Sequence, residues 1–355
     1  MKNGELKNET EEEINRVDVH TLKRTIKNQV DDKADIKDDN TIEPKENSPN
    51  VNRNKCPCSV NQLLAIMIPS GIVCIFVSIF VPVYLTQNKD DDTIFNSTEK
   101  YDEFDESIEA YNYATLTPKE GYNNIYIHLN GIGETANTYF DFFKSKKTII
   151  PSKTKIISLT GSARPMQYVI HYYGSSDPVP AWFNVDQNGQ LYCDSGPCND
   201  FTESKTSLNY ILDKIDQISQ EENIGYDKIY LGGFSQGGIM TSNVLLNSRH
   251  KLGGYLIFSG YIFDEHFDSG SVTDYASLSS EQKDILESKK DYHIIATHSL
   301  KDTRVFYDQI IKMYYNYFQD YTDFQLYTFG ELDHYFAEQP VLPLVRIWLK
   351  KSMNK

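Results

Sequence analysis

Apolar side chains along this chain of 355 residues fall into distinct regimes. Residues 1–62 hold no Phe, Tyr or Trp, are crowded with Glu, Asp, Lys and Asn, and show no regular apolar period. Such a stretch buries too little apolar surface to offset its chain entropy, so the pattern predicts a disordered polar tail. From Leu63 to Leu85 the balance inverts: 23 residues carry no charge and are rich in Ile, Val and Phe. A helix of that length crosses a hydrocarbon core of about 30 Å with some tilt. It lacks the polar face of a helix on a globular core, and too long a hydrophilic stretch precedes it for a cleaved signal peptide. One transmembrane helix is expected at 63–85, followed by an acidic stalk over residues 86–120.

From residue 121 to 355 short apolar runs alternate with amphipathic ones. The runs predict strands at Asn124–Leu129, Lys155–Leu159, Tyr168–Tyr172, Lys228–Leu231, Gly254–Phe258, Tyr292–Ala296 and Phe324–Phe329. Leu208, Ile211, Leu212, Ile215 and Ile218 recur at helical spacing. Val305 to Phe318 is an aromatic-rich amphipathic run, and a last helix is predicted from about Val341 to Lys351. Strands separated by helices build βαβ units. The expected class is α/β, a mainly parallel sheet with helices on both faces. Active sites of such sheets lie beyond the carboxyl ends of the strands.

Composition adds partners and compartment. A net charge of −15 argues against nucleic acid, which needs a basic surface. Lys45, Arg53 and Lys55 precede the apolar run and Lys89 and Lys100 follow it, a lean towards a cytoplasmic N-terminus. Asn96-Ser97-Thr98 is a glycosylation sequon, and Cys193 and Cys198 are near enough to close a small disulfide loop or to remain free thiols. Cys56 and Cys58 are candidates for palmitoylation beside the bilayer. Together these features predict a single-pass type II protein with the large domain extracytoplasmic.

The chemistry is concentrated at Gly232-Gly233-Phe234-Ser235-Gln236-Gly237-Gly238, between a predicted strand and a helix-like run. A G-x-S-x-G element in strand–turn–helix context is a nucleophile elbow, so tight that side chains at Gly233 and Gly237 would strike neighbouring backbone. A serine hydroxyl needs a base to take its proton, and the base needs a group that fixes its tautomer. In this fold the chain order is Ser, then acid, then His. Of the histidines after Ser235, His250 ends a helix, and His293 and His298 belong to a strand and its end. His334 follows the last predicted strand, on the same side of the sheet as Ser235. Asp302, in the loop after the preceding strand, is the candidate acid, with Asp323 and Asp333 as alternatives. The Gln236 N–H is one oxyanion donor, and the glycine-bearing loop His128–Glu134 is expected to supply the other.

Several blocks, in chain order, resemble the phospholipase/carboxylesterase family of α/β-hydrolases, the group containing the acyl-protein thioesterases. They are Ile127–Thr135, Ala181-Trp182-Phe183, the Gly-Phe-Ser-Gln-Gly-Gly elbow, Phe258-Ser259-Gly260-Tyr261, and His298-x-x-x-Asp302-x-x-Val305. The resemblance implies an α/β-hydrolase fold with Ser235 as nucleophile, Asp302 as acid, His334 as base, and Ile132 with Gln236 as oxyanion donors. It implies an ester or thioester substrate with an acyl chain, and no metal or cofactor. Asn130 and Ser299 depart from the family's His and Gly, and the loop to His334 is one residue longer. The aromatic-rich stretch from Tyr168 to Trp182, with Phe183, is a candidate lining for an acyl pocket; ordinary loop packing is the alternative. The rival function is a catalytically inactive hydrolase-fold ectodomain used in binding or adhesion.

Overall fold

The computed structural model describes residues 14–17, 102–110, 113–145, 149–185, 192–193, 196–197, 202–262, 280–318, 321–330, 332–336 and 339–354. The expected membrane span, most of the tail, Cys56, Cys58, Asn96 and Cys198 lie outside these residues. Among the described residues no helix is long and apolar enough to cross a membrane.

The strands are β1 (Ile14–Val17), β2 (Phe104–Ala110), β3 (Tyr113–Pro118), β4 (Asn124–Leu129), β5 (Thr154–Leu159), β6 (Ala163–Arg164), β7 (Val179–Pro180), β8 (Tyr192–Cys193), β9 (Gly196–Pro197), β10 (Ile229–Phe234), β11 (Gly254–Phe258), β12 (His293–Ser299) and β13 (Asp323–Phe329). The helices are α1 (Phe140–Lys144), α2 (Gln167–Tyr173), α3 (Thr202–Glu221), α4 (Gln236–Asn247), α5 (Ser280–Ser288), α6 (Tyr307–Phe318) and α7 (Leu342–Met353). Among the described residues one nine-stranded sheet runs β1-β13-β12-β11-β10-β4-β5-β3-β2. Its centre, β5-β4-β10-β11-β12-β13, is parallel; β2, β3 and β1 add antiparallel edges.

Strands β4, β10 and β11 are buried at every position, as parallel strands covered on both faces must be. Alternation along them divides the core. Ile125, Ile127, Leu129 and Leu231 pack with Ile211 and Ile215 of α3 and Met240 and Val244 of α4. Tyr126, Tyr230 and Leu256 face the opposite side, against Phe143 of α1 and Val345, Trp348 and Leu349 of α7. With both faces covered, the loops at the carboxyl ends of β4, β10, β12 and β13 converge on one rim.

The fold differs from the sequence expectation in three places. Tyr168–Tyr172 is not a strand but most of helix α2. Its ends are satisfied locally: Asn184 Oδ1 accepts the Gln167 N–H at 3.1 Å, and Gly174, at φ 68°, returns its N–H to the Ile170 carbonyl. Much of the stretch expected as stalk belongs to the sheet, where Ala114 and Leu116 of β3 are fully buried. Finally, Ile14–Val17 of the polar tail pairs antiparallel with Leu326–Phe329 of β13. Cys193 sits in a small β8–β9 hairpin opposite Gly196.

Candidate active site

The sharpest local constraint lies between β10 and α4. Ser235 has φ 55° and ψ −119°, in the left-handed region that a side chain makes costly. Glycine on either side makes the turn possible. A Cβ on Gly233 would stand 2.4 Å from the Gly237 carbonyl group, and one on Gly237 would stand 1.9 Å from the Leu129 carbonyl oxygen. The Ser235 N–H is held by the Phe258 carbonyl at 2.9 Å, and its own carbonyl accepts the Ile239 N–H at 3.0 Å. The hydroxyl is thus carried on the rim with the α4 N-terminus behind it.

His334 follows β13 and meets that hydroxyl: its Nε2 lies 2.8 Å from Ser235 Oγ. Its Nδ1 lies 2.7 Å from Asp302 Oδ2. The Phe234 ring backs the imidazole at a centroid distance of 4.8 Å. Asp302 is buried, and its other oxygen accepts the Arg304 and Val305 N–H groups at 2.8 and 2.7 Å. Burial pushes its pKa up, but the hydrogen bond and charge of His334 and the Val305 N–H outweigh it, and the net lies below the ordinary value. That combination keeps the carboxylate ionised and the ring oriented.

The other candidates fall elsewhere. Asp323 opens β13, a strand's length (about 20 Å) from the rim, and pairs with His293 Nδ1 at 2.5 Å. Asp333 turns to Thr303. His250 stacks on Tyr226 with ring centroids 3.7 Å apart. His298 is buried and donates Nε2–H to the Val305 carbonyl at 2.7 Å, bracing the acid loop. Burial lowers its pKa despite Asp302 beside it.

The loop after β4 forms the wall opposite the base. Gly131 N–H donates to Glu134 Oε2 at 2.6 Å and Gly133 N–H to the Pro180 carbonyl at 2.8 Å, leaving Ile132 between two anchored neighbours. Glu134 also receives the Tyr139 hydroxyl. Burial raises its pKa more than those hydrogen bonds lower it. Asn130, where the resemblance expects His, donates Nδ2–H to Thr135 O and Thr160 Oγ1 at 2.5 and 2.8 Å and accepts Ser158 Oγ at 3.2 Å. Trp182 and Phe183 are 1% and 0% exposed, so they knit the wall rather than line an open pocket. The indole Nε1 donates to Asn130 O at 2.8 Å. Gln236 accepts the Trp182 N–H at 2.7 Å and donates to Phe183 O at 2.6 Å.

Two contributors carried no readable sequence signal. Gln339, 3% exposed, donates to Tyr335 O at 2.8 Å and accepts Thr297 Oγ1 at 2.6 Å. Phe336 packs edge-on against Phe258 at 4.8 Å beneath the base loop. Around the mouth, Leu300, Phe306 and Tyr335 are exposed apolar side chains on the loops that carry Asp302 and His334. Among the described residues no group of three or more His, Cys, Asp or Glu is placed to hold a metal ion.

With this geometry in view, the sequence pattern of the Phospholipase/Carboxylesterase family matches residues 112–321. The chain belongs to the phospholipase/carboxylesterase family. The match includes Ser235 and Asp302 and stops short of His334. Relatives within reach of this hydrolase family member include acyl-protein thioesterase 1 of Eremothecium gossypii, 35% identical over 99 residues, or 27% of this chain and 40% of that protein. Acyl-protein thioesterase 1 of Cryptococcus neoformans var. neoformans is 25% identical over 147 residues, 41% of this chain and 58% of that one. The aligned stretches thus span about half the length of these relatives. The crystal structure of Zea mays acyl-protein thioesterase 2 superposes with a TM-score of 0.50 at 16% identity, covering 69% of this chain and all of that one. That likeness shows the α/β-hydrolase fold.

Proposed function

We propose that this family member is a serine hydrolase that cleaves a carboxylic ester or thioester bearing an acyl chain. One observation carries the reading: Ser235 Oγ stands 2.8 Å from His334 Nε2 while Asp302 holds the other ring nitrogen at 2.7 Å. In the acylation step Oγ attacks the substrate carbonyl carbon and its proton passes to Nε2. Negative charge gathers on the carbonyl oxygen, which the Gln236 and Ile132 N–H groups receive. Collapse of the tetrahedral intermediate expels the alkoxide or thiolate, protonated by His334, and leaves an acyl-serine. Water then attacks the acyl carbon and loses a proton to Nε2; the acyl–Oγ bond breaks, the imidazolium returns the proton to Ser235 Oγ, and the acid departs. Asp302 stays ionised and steadies the imidazolium. The apolar rim of Leu300, Phe306 and Tyr335 favours an acyl substrate over a polar one.

Purified protein should turn over medium- and long-chain acyl esters and thioesters, and Ser235→Ala should abolish it. Equal turnover by wild type and Ser235→Ala would defeat the reading.

The same proposal attaches the enzyme to a bilayer through residues 63–85, with the hydrolase domain extracytoplasmic, Asn96 glycosylated, a Cys193–Cys198 disulfide, and Cys56 and Cys58 acylated on the cytoplasmic side. A chain that crosses once between residues 17 and 102 has those residues on opposite sides of the membrane. Pairing of Ile14–Val17 with β13 needs them on the same side. The proposed crossing therefore requires β1 to leave the edge of β13 in the membrane-bound molecule, and glycosylation of Asn96 together with protection of residues 14–17 from external protease tests it.

A further inference from the structure

Asp302 and His334 sit on separate loops, one after β12 and one after β13. The Asp302–His334 hydrogen bond closes only if those loops keep their spacing. Asp302 does not enforce that spacing: Oδ1 is committed to Arg304 and Val305 of its own loop, at 2.8 and 2.7 Å. The neighbours do. Thr303, next after the acid, donates its N–H to Asp333 Oδ1 at 2.8 Å. Its hydroxyl reaches Oδ1 and Oδ2 at 2.8 and 2.9 Å. Asp333 immediately precedes His334, so residues 302 and 303 face residues 334 and 333 in order.

We infer that Thr303 and Asp333 form a clasp between the acid and base loops, and that Asp333 is a positioning residue for His334. The inference rests on the reading of Ser235, Asp302 and His334 as a triad. Leu332 O takes the Ser299 hydroxyl and Tyr335 O takes the Gln339 amide, so the base loop is pinned on both sides of His334. Of these ties only the clasp joins the two catalytic loops directly and brings a charge beside the imidazole. Burial is the largest single influence and raises the Asp333 pKa, but the Thr303 N–H and hydroxyl and the His334 main-chain N–H and ring together outweigh it, and the carboxyl stays ionised. Its charge therefore favours the imidazolium that forms when His334 accepts the serine proton. An ordinary loop cap would stabilise the fold without touching that proton transfer.

The clasp lies at the surface, so its variants should fold, with unfolding midpoints within a few degrees of wild type. The test follows the second-order rate of Ser235 labelling by a fluorophosphonate for wild type, Asp333→Ala, Thr303→Val, Thr303→Ser and the double variant. Asp333→Ala should label about tenfold or more slowly, because both a charge and a tether of the ring are lost. The double variant should be little worse than Asp333→Ala alone, and Thr303→Ser should restore wild-type behaviour. Rates that track only the folded fraction, or full additivity of the two substitutions, overturn the clasp and leave the triad intact. A wild-type protein that never labels overturns both.

Discussion

The two sides of the candidate site are held in different ways. On the nucleophile side, main chain lies against main chain: Gly233 against Gly237, Gly237 against the Leu129 carbonyl, the Ser235 N–H on Phe258 O. On the acid–base side one main-chain tie, the Leu300 N–H on Phe329 O, is joined by fastenings that are mostly side chains: Ser299 to Leu332, Thr303 to Asp333, Gln339 to Tyr335, and the Phe336 ring beneath. Main-chain contacts admit no partial version. Side-chain hydrogen bonds are worth about 1 kcal/mol each and can be lost singly. The elbow should therefore fail all at once, and the loops by degrees.

The largest expected effect breaks the elbow. In Gly237→Ala the new Cβ would stand 1.9 Å from a carbonyl oxygen of β4, which the buried sheet cannot withdraw. A loss of about 4 kcal/mol or more is expected, seen as insoluble protein or a collapsed thermal midpoint. A variant that melts with wild type would erase the contrast with the loops.

A smaller effect sharpens the other side. His128 is fully buried beneath the base loop, its ring 5.3 Å from Phe336, and burial lowers its pKa from 6.5 to about 3. The folded state keeps it neutral while the unfolded chain takes up a proton below 6.5. Stability present above 6.5 is therefore lost as pH falls towards 3, by about 3 kcal/mol between pH 6.5 and 4. Denaturant unfolding of wild type and His128→Phe at pH 7 and 4 measures this. Wild type should lose about 3 kcal/mol more on acidification than the variant, and equal losses would remove His128 from the acid response.

The same contrast explains what was legible in the sequence. The elbow demands glycine on both sides of the serine, so its residues announce themselves, and the central strands read as unbroken apolar runs because both faces are covered. Strand β2 did not, because an edge strand tolerates the charges of Phe104–Ala110 that looked like a stalk. Helix α2 replaces the strand expected at Tyr168–Tyr172 because its ends are fixed by Asn184 and Gly174 and not by an apolar period. Asp302 could be ranked above Asp333 from its place in the chain. That Asp333 would hold Thr303 could not, since such ties have no spacing rule. Trp182 and Phe183 stood out as aromatic, but only their burial shows that they support the Gln236 turn and the Asn130 wall.

The central claim is that the Ser235 hydroxyl is activated by His334. Fluorophosphonate treatment followed by intact-mass and peptide analysis tests it most directly. The account predicts one adduct per chain, on Ser235, absent in Ser235→Ala and formed at least about 10³-fold more slowly in His334→Ala. An adduct on another residue, or equal labelling rates for wild type and His334→Ala, would contradict it.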